Sequence, residues 1–264
     1  MEKYLSGEAL YGDDMTEEEI LAWYDDEKEG YADLGAKDWE KYVYSYHALN
    51  ELHGFRRLPD REFDNVLGIG SAYGIEFRPI ANRVRKITIV DSSSAFSCDR
   101  IENVPVERID ANASGDIALE DGSVDLSLCF GVLHPIPNVS HVLKELFRCL
   151  SPGGIALIRE PIISMGDWRN ARAGLTKRER GIPFGVFQTI ISSCGFVVIS
   201  RKFCMFPATP RLWGVVGVRP YNNQWATKLD GFMSSLFSWN RVYHRTAPIQ
   251  KIGPTCVFWV LKKP

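Results

Sequence analysis

Residues 65–74 read NVLGIGSAYG, in which an apolar strand through Val66, Leu67 and Ile69 runs straight into a turn punctuated by Gly68, Gly70 and Gly74. Glycine at such a turn adopts backbone angles that other residues avoid. It also lets main-chain N–H groups approach a ligand that any Cβ would hold off, so the stretch reads as a nucleotide-cofactor turn. Spacing then sorts the cofactors. The dinucleotide pattern GxGxxG needs a third glycine or alanine at position 73, where this chain carries Tyr73, and GxGxxxG remains. About twenty residues beyond the glycines, the β-branched run Ile87 to Val90 ends in Asp91, the place of an acid that chelates two ribose hydroxyls from the tip of the second strand.

Working outward, strands and helices alternate. Strands are expected near Val66, near Ile87, from Val106 to Ile109 and from Val124 to Phe130. A helix over Val139 to Leu150, a Ser151-Pro152-Gly153-Gly154 turn and a strand from Ile155 to Arg159 follow. Such alternation implies a doubly wound, mostly parallel α/β sheet with helices on both faces. Ahead of it, Thr16 and Glu19 form a capping-box pattern before Ile20, Trp23 and Tyr24, and a second helical stripe runs through Trp39, Tyr42, Val43, Tyr46 and Leu49. Residues 1–58 therefore read as helical, a lid placed before the main domain of residues 59–264. Two further strands, Phe196 to Phe203 and Thr255 to Leu261, flank a segment too long for a hairpin, which reads as a helical insertion at about 204–253.

Composition sets the class. With 264 residues and 45% hydrophobic side chains the chain can bury one large α/β core. No stretch approaches the roughly 20 continuous apolar residues of a membrane span, and the N-terminus lacks the apolar core of a secretory signal, so a cytoplasmic protein with no membrane span is expected. The six cysteines are scattered without a CxxC pair, which indicates neither a disulfide framework nor a metal site. A net charge of −2 and the lack of a recognisable RNA or DNA module argue against nucleic acid. That net charge hides a polarity: residues 1–40 hold fourteen acids against three lysines, residues 165–264 fifteen Lys or Arg against three acids. An attraction between the two ends follows, modest for each exposed pair.

Five segments in order, VLGIGSAYG, IVDSS, IDANAS, EDGSVDLSLCFGVLHPIPN and LSPGGIALIREP, resemble the class I S-adenosylmethionine-dependent methyltransferases, in particular the small-molecule, UbiE-like branch. The resemblance covers roughly Asn65 to Pro161. It implies a Rossmann-like sheet of seven strands, the last antiparallel, with S-adenosylmethionine as cofactor and S-adenosylhomocysteine as product. Carried over by position, Gly68, Gly70, Ser71 and Gly74 would face the methionine part, Asp91 the ribose, and Ser92, Asn112 and Ala113 the adenine, with Asp110 competing; Phe130 and Gly131 would line the sulfonium end. The chain departs from the pattern in lacking an acid at Gly68 and a glycine at Ala72. The first removes a carboxylate that helps hold the cofactor's amino group, a gap near which Glu76 and Arg78 stand; the second strains the turn if that position needs a positive φ.

Methyl transfer from a sulfonium is an in-line displacement that depends mainly on alignment and dryness. Hydroxyl acceptors also need a base, and neutral amines do not. Glu160 and His134, at the ends of the fifth and fourth strands, are the candidate catalytic groups, each weighed against a packing or salt-bridge role. The segment DWRNARAGLTKRER, residues 167–180, brings five cations toward the same edge and suggests an anionic group on a small-molecule or glycan acceptor, against the alternative of a solvated helix face. The aromatic, basic C-terminal stretch resembles methyltransferases of surface-polysaccharide synthesis. Two other readings stay open: a nicotinamide-dependent oxidoreductase using the same glycine turn, and a non-catalytic S-adenosylmethionine-binding protein.

Overall fold

The computed structural model describes residues 1–34, 43–93, 96, 98–172 and 174–264, and within 28–34 the backbone only. The chain opens with α1 (Glu2–Leu5) and α2 (Glu17–Leu34). The capping box forms as expected, Thr16 N donating to Glu19 Oε2 at 2.9 Å and Glu19 N to Thr16 Oγ1 at 3.4 Å. Helix α3 is short (His47–His53), and Tyr46 is its N-cap. Residues 43–46 are not helical, so the second stripe is helical only from His47; Trp39 and Tyr42 lie outside the described residues.

Strands β1 (Phe63–Ile69), β2 (Val84–Asp91), β3 (Arg100–Ile101), β4 (Val104–Asp110) and β5 (Val124–Phe130) follow, then α4 (Val139–Cys149) and β6 (Leu150–Pro161). Helix α5 (Phe184–Ser193) leads into β7 (Val197–Cys204), α6 (Ala208–Gly214) and α7 (Gln224–Leu236), and β8 (Cys256–Lys262) closes the chain. The sheet order is β3-β4-β2-β1-β5-β6-β8-β7. Strands β4, β2, β1, β5 and β6 are mutually parallel, and β8 is antiparallel to both β6 and β7. The sheet thus has eight strands rather than the expected seven. The extra one, β3, is a two-residue hairpin arm on β4, turning at Glu102 with φ +52°, too short to leave a periodic signal.

The central strands are buried on both faces, as parallel strands under helices are. Leu67, Ile69, Cys129 and Ile158 pack with α4 and α5 on one side. Val66, Ile87, Leu128 and Leu157 pack with Leu49, Phe77 and Phe258 on the other. Strand β1 lies between β2 and β5, so the chain leaves it in opposite directions there, and the crevice beyond its C-terminal end is where such sheets take ligands. The described residues contain no helix long and apolar enough to cross a membrane and no His, Cys, Asp or Glu group fit to hold a metal.

Candidate active site

A cavity of about 420 Å³ opens at that crevice, walled by Gly70, Asp91, Ser92, Asn112, Ala113 and Gly131 among the expected residues. Gly70 takes φ +58°, its N donates to Val90 O at 2.8 Å, and a Cβ on it would strike Val132. Asp91, at the end of β2, accepts from Ala72 N at 2.9 Å and Ser93 N at 3.0 Å. Each of its oxygens keeps a second lone pair for a ligand hydroxyl. Ala72 takes φ +45°, so the turn does hold a left-handed residue where glycine would be unstrained.

Five expected cofactor residues are off the cavity wall, each for a visible reason. The space beside Gly68 is filled by Ser71 Oγ and Phe77, within 2.4 and 2.8 Å of where a Cβ would sit. Ser71 is itself buried under the turn. Gly74 is required by packing on Ile101 and Ile89 as well as by its φ of +66°. Phe130 points to the opposite face of the sheet, against Phe55 and Phe258. Asp110 pairs in register with Asp91 but is exposed.

The two expected catalytic residues are bonded to each other behind the cavity. Glu160 is fully buried; its Oε1 accepts from Val132 N at 2.7 Å and Leu133 N at 2.9 Å, and its Oε2 meets His134 Nδ1 at 3.1 Å. His134 Nε2 meets Glu179 Oε1 at 2.8 Å. Burial works against a charged imidazole, yet the two carboxylates win and hold the His134 pKa up at about 9. Neither residue lines the cavity. Together they anchor the loop that follows β5.

The cations of residues 167–180 are each bonded within the protein, Arg169 and Lys177 from exposed positions. Buried Arg180 donates to the carbonyls of Tyr11, Leu133, His134, Ile136 and Pro137, stitching the N-terminal segment to the same loop. Arg172 donates to Met165 O and Glu179 O, Arg169 pairs with Asp167, and Lys177 and Arg178 both reach Asp26 on α2. The opposite charges of the two ends do meet.

Sequence reasoning missed part of the wall. Trp23, Tyr24 and Glu27 of α2 lie across the cavity, with Trp23 Nε1 bonded to Pro135 O at 2.7 Å and Tyr24 Oη to Ala111 O at 3.1 Å. Asn138 adds a buried Oδ1 with no hydrogen-bond donor among the described residues, an acceptor that a ligand N–H can fill.

Just beyond Gly131 lie two buried charges. Arg159 Nη2 stands 4.0 Å from where a Gly131 Cβ would be; its Nη1 donates to Asn50 Oδ1 at 2.7 Å, and its guanidinium is stacked by Tyr46 and Phe130 at 4.1 and 5.3 Å. Glu76, behind the glycine turn, is 5% exposed. Burial pushes its carboxyl up to about 7, against the opposing pull of Ser71 and Arg159. Neither charge is ion-paired among the described residues, and the buried Ser71 hydroxyl lies beside Glu76.

Residues 67–158 match the family described as methyltransferase domain. The match covers about a third of the chain. The chain is similar to trans-aconitate 2-methyltransferase of Variovorax paradoxus, 28% identical over 107 residues, 40% of this chain and 41% of that protein, so it spans about two fifths of that relative's length. Among solved structures it shares its fold with an S-adenosylmethionine-dependent methyltransferase from Mesorhizobium loti (TM-score 0.52, 16% identity, 86% of this chain and 98% of that one). It also shares it with phosphoethanolamine N-methyltransferase 2 of Haemonchus contortus in complex with S-adenosylhomocysteine (TM-score 0.56, 16% identity, 93% of this chain and 60% of that one). The residues of the cavity fit S-adenosylmethionine: an acid at the β2 tip for the ribose, Gly70 without a Cβ beside it, and an unfilled acceptor at Asn138.

Proposed function

We propose that the chain transfers the methyl group of S-adenosylmethionine to a small-molecule acceptor. The observation that carries this reading is the position of Asp91, whose carboxylate ends β2 on the wall of a cavity it shares with Gly70 and Gly131, inside the segment that matches the methyltransferase domain. The acid would hold the ribose hydroxyls, and Ser92, Asn112 and Ala113 would border the adenine. Behind the glycines and off the cavity wall, the buried Glu76 and Arg159 would complement the ammonium and carboxylate of an amino acid that reached past Gly131, and Glu76 would supply the charge that Gly68 lacks.

Helix α2 acts as the lid. Trp23 and Tyr24 close over the cavity, and water exclusion and alignment are what in-line transfer asks of the protein, worth up to roughly 7–11 kcal/mol in well-oriented reactions. No carboxylate of the wall is idle: Glu27 is bonded to Thr176 and Arg178 N, Asp116 to Ser114 and His141, and Asp91 to its own turn. An acceptor whose nucleophile needs no enzyme base, a neutral amine or a carboxylate, fits this wall best. A carbohydrate-like acceptor bearing such a group is the finer form of this reading. Against a nicotinamide cofactor stands Tyr73, buried against Phe96 where the dinucleotide turn needs glycine or alanine.

Calorimetry with S-adenosylhomocysteine tests the reading. Micromolar binding by the wild type is expected, with a loss of at least about tenfold in Asp91→Ala, the scale of removing hydrogen bonds to a charged group. No binding by the folded wild type overturns it.

A further inference from the structure

Helix α7 is built inside out. The side it turns to the protein carries Ala226, Thr227, Asp230 and Ser234, all buried. The side it turns to solvent carries Trp225, Leu229, Phe232 and Leu236, continued by Trp239 just past its end, between 49% and 76% exposed. The spacing of four, three, four and three residues places all five on one ridge. Burying large apolar side chains is favourable, and monomers rarely leave such a ridge open. Beside it, Leu212, Val215 and Val216 around the end of α6 are exposed as well.

The surroundings of this ridge carry one sign of charge. From residue 181 to 264 the chain has ten Lys or Arg and a single acid, Asp230. That acid is buried under α7, accepting from Met205 N and Phe206 N at 2.8 Å each. Lys228 stands over the Trp225 ring at 4.9 Å, and Arg211 and Arg219 flank the α6 patch. Along the inner edge of α7 runs a groove of about 470 Å³ lined by Arg57, Lys202, Lys228, Ser235 and Ser238. None of its four cations, Arg201 included, is ion-paired among the described residues. The nearest acid on α3, Glu51, is taken by Arg56 at 3.3 Å.

We infer that α7, the end of α6 and this basic groove form a foot that lies on an anionic bilayer surface, apolar ridge down, with lipid phosphates in the groove. An apolar stripe with indole rings near both ends and cations along its flank is the pattern of a helix lying in the membrane interface. Each cation near such a surface adds about 1 kcal/mol of attraction. A second copy of the chain would fit the ridge but would set its cations against their own counterparts. The foot is independent of what fills the cavity.

Flotation with vesicles of phosphatidylglycerol and phosphatidylcholine, against phosphatidylcholine alone, tests it, with sedimentation of the lipid-free protein alongside. The wild type should float with the mixed vesicles only, and less as salt rises. Leu229→Glu with Phe232→Glu should lower the bound fraction by at least about tenfold, given the apolar area removed, and Lys202→Gln with Lys228→Gln should lower it by less. All four positions are exposed, and an unchanged melting temperature and unchanged S-adenosylhomocysteine binding confirm an intact fold and cavity. Failure to float, or a lipid-free dimer that the Glu substitutions dissolve, overturns the proposal.

Discussion

Two groups of buried charge stand a few residues apart at the C-terminal edge of the sheet, and they are built on opposite plans. In the first, Glu160, His134, Glu179 and Arg180, every charge meets a partner or a row of carbonyls, and the group ties the loop after β5 to the N-terminal segment. In the second, Glu76 and Arg159 are as deeply buried, yet neither has an opposite charge bonded to it. A buried ion without a partner costs several kcal/mol, so the first group reads as framework and the second as a site that a ligand completes.

The largest expected effect comes from breaking the framework. His134→Leu leaves Glu160 and Glu179 as buried carboxylates without their shared partner and should cost about 3–5 kcal/mol in denaturant unfolding. The same histidine gives the wild type a pH signature. Its pKa is about 9 folded against 6.5 unfolded, so its contribution is complete below pH 6.5 and is lost as pH rises through about 9. A variant as stable as the wild type, or a wild type whose stability is level across that window, would count against the framework reading.

Substitution in the second group should act with the opposite sign, although its pH dependence runs in the same direction at lower pH. The Glu76 carboxyl is raised to about 7 from 4.5, so its stabilising contribution is complete below pH 4.5 and lost as pH rises through 7. At pH 8, Glu76→Gln should raise the stability of the ligand-free protein by roughly 1–3 kcal/mol. It should also weaken S-adenosylhomocysteine by about tenfold or more. Binding of 5′-methylthioadenosine, which lacks the amino-acid end, should be unchanged. Equal weakening of both ligands would place Glu76 in the framework after all.

The smallest effect sharpens the wall between the two groups. Ala72 holds φ +45° next to Asp91, and Ala72→Gly should relieve about 1 kcal/mol of backbone strain, partly offset by the extra freedom of glycine in the unfolded chain. Melting temperature reads it; a clear fall would mean that the Ala72 methyl packs rather than strains.

Much of this was legible in the chain. The glycine turn, the Asp91 strand end, the capping box at Thr16 and the order of strands are local patterns, and they located six of the eleven expected cofactor residues on the cavity wall. The other five lie off that wall, Gly68 and Gly74 through close packing behind the turn and Phe130 through side-chain direction. Phe130 and Gly131 are neighbours, yet only Gly131 reaches the cavity, because successive strand residues face opposite sides of the sheet. Lys177 and Arg178 looked available for a ligand because their shared acid, Asp26, lies about 150 residues earlier on α2.

The sequence by itself determined the class of fold, the turn that takes a nucleotide cofactor and the acid that faces it, since each depends on residue types at short, fixed spacing. Only the tertiary structure decided which charges are bonded and which are left open. Arg159 and Glu160 are adjacent in the chain, but strand pleating sends one toward α3 and Glu76 and the other toward His134. Partners for a buried charge are supplied by elements that the fold brings together, and no local pattern records them.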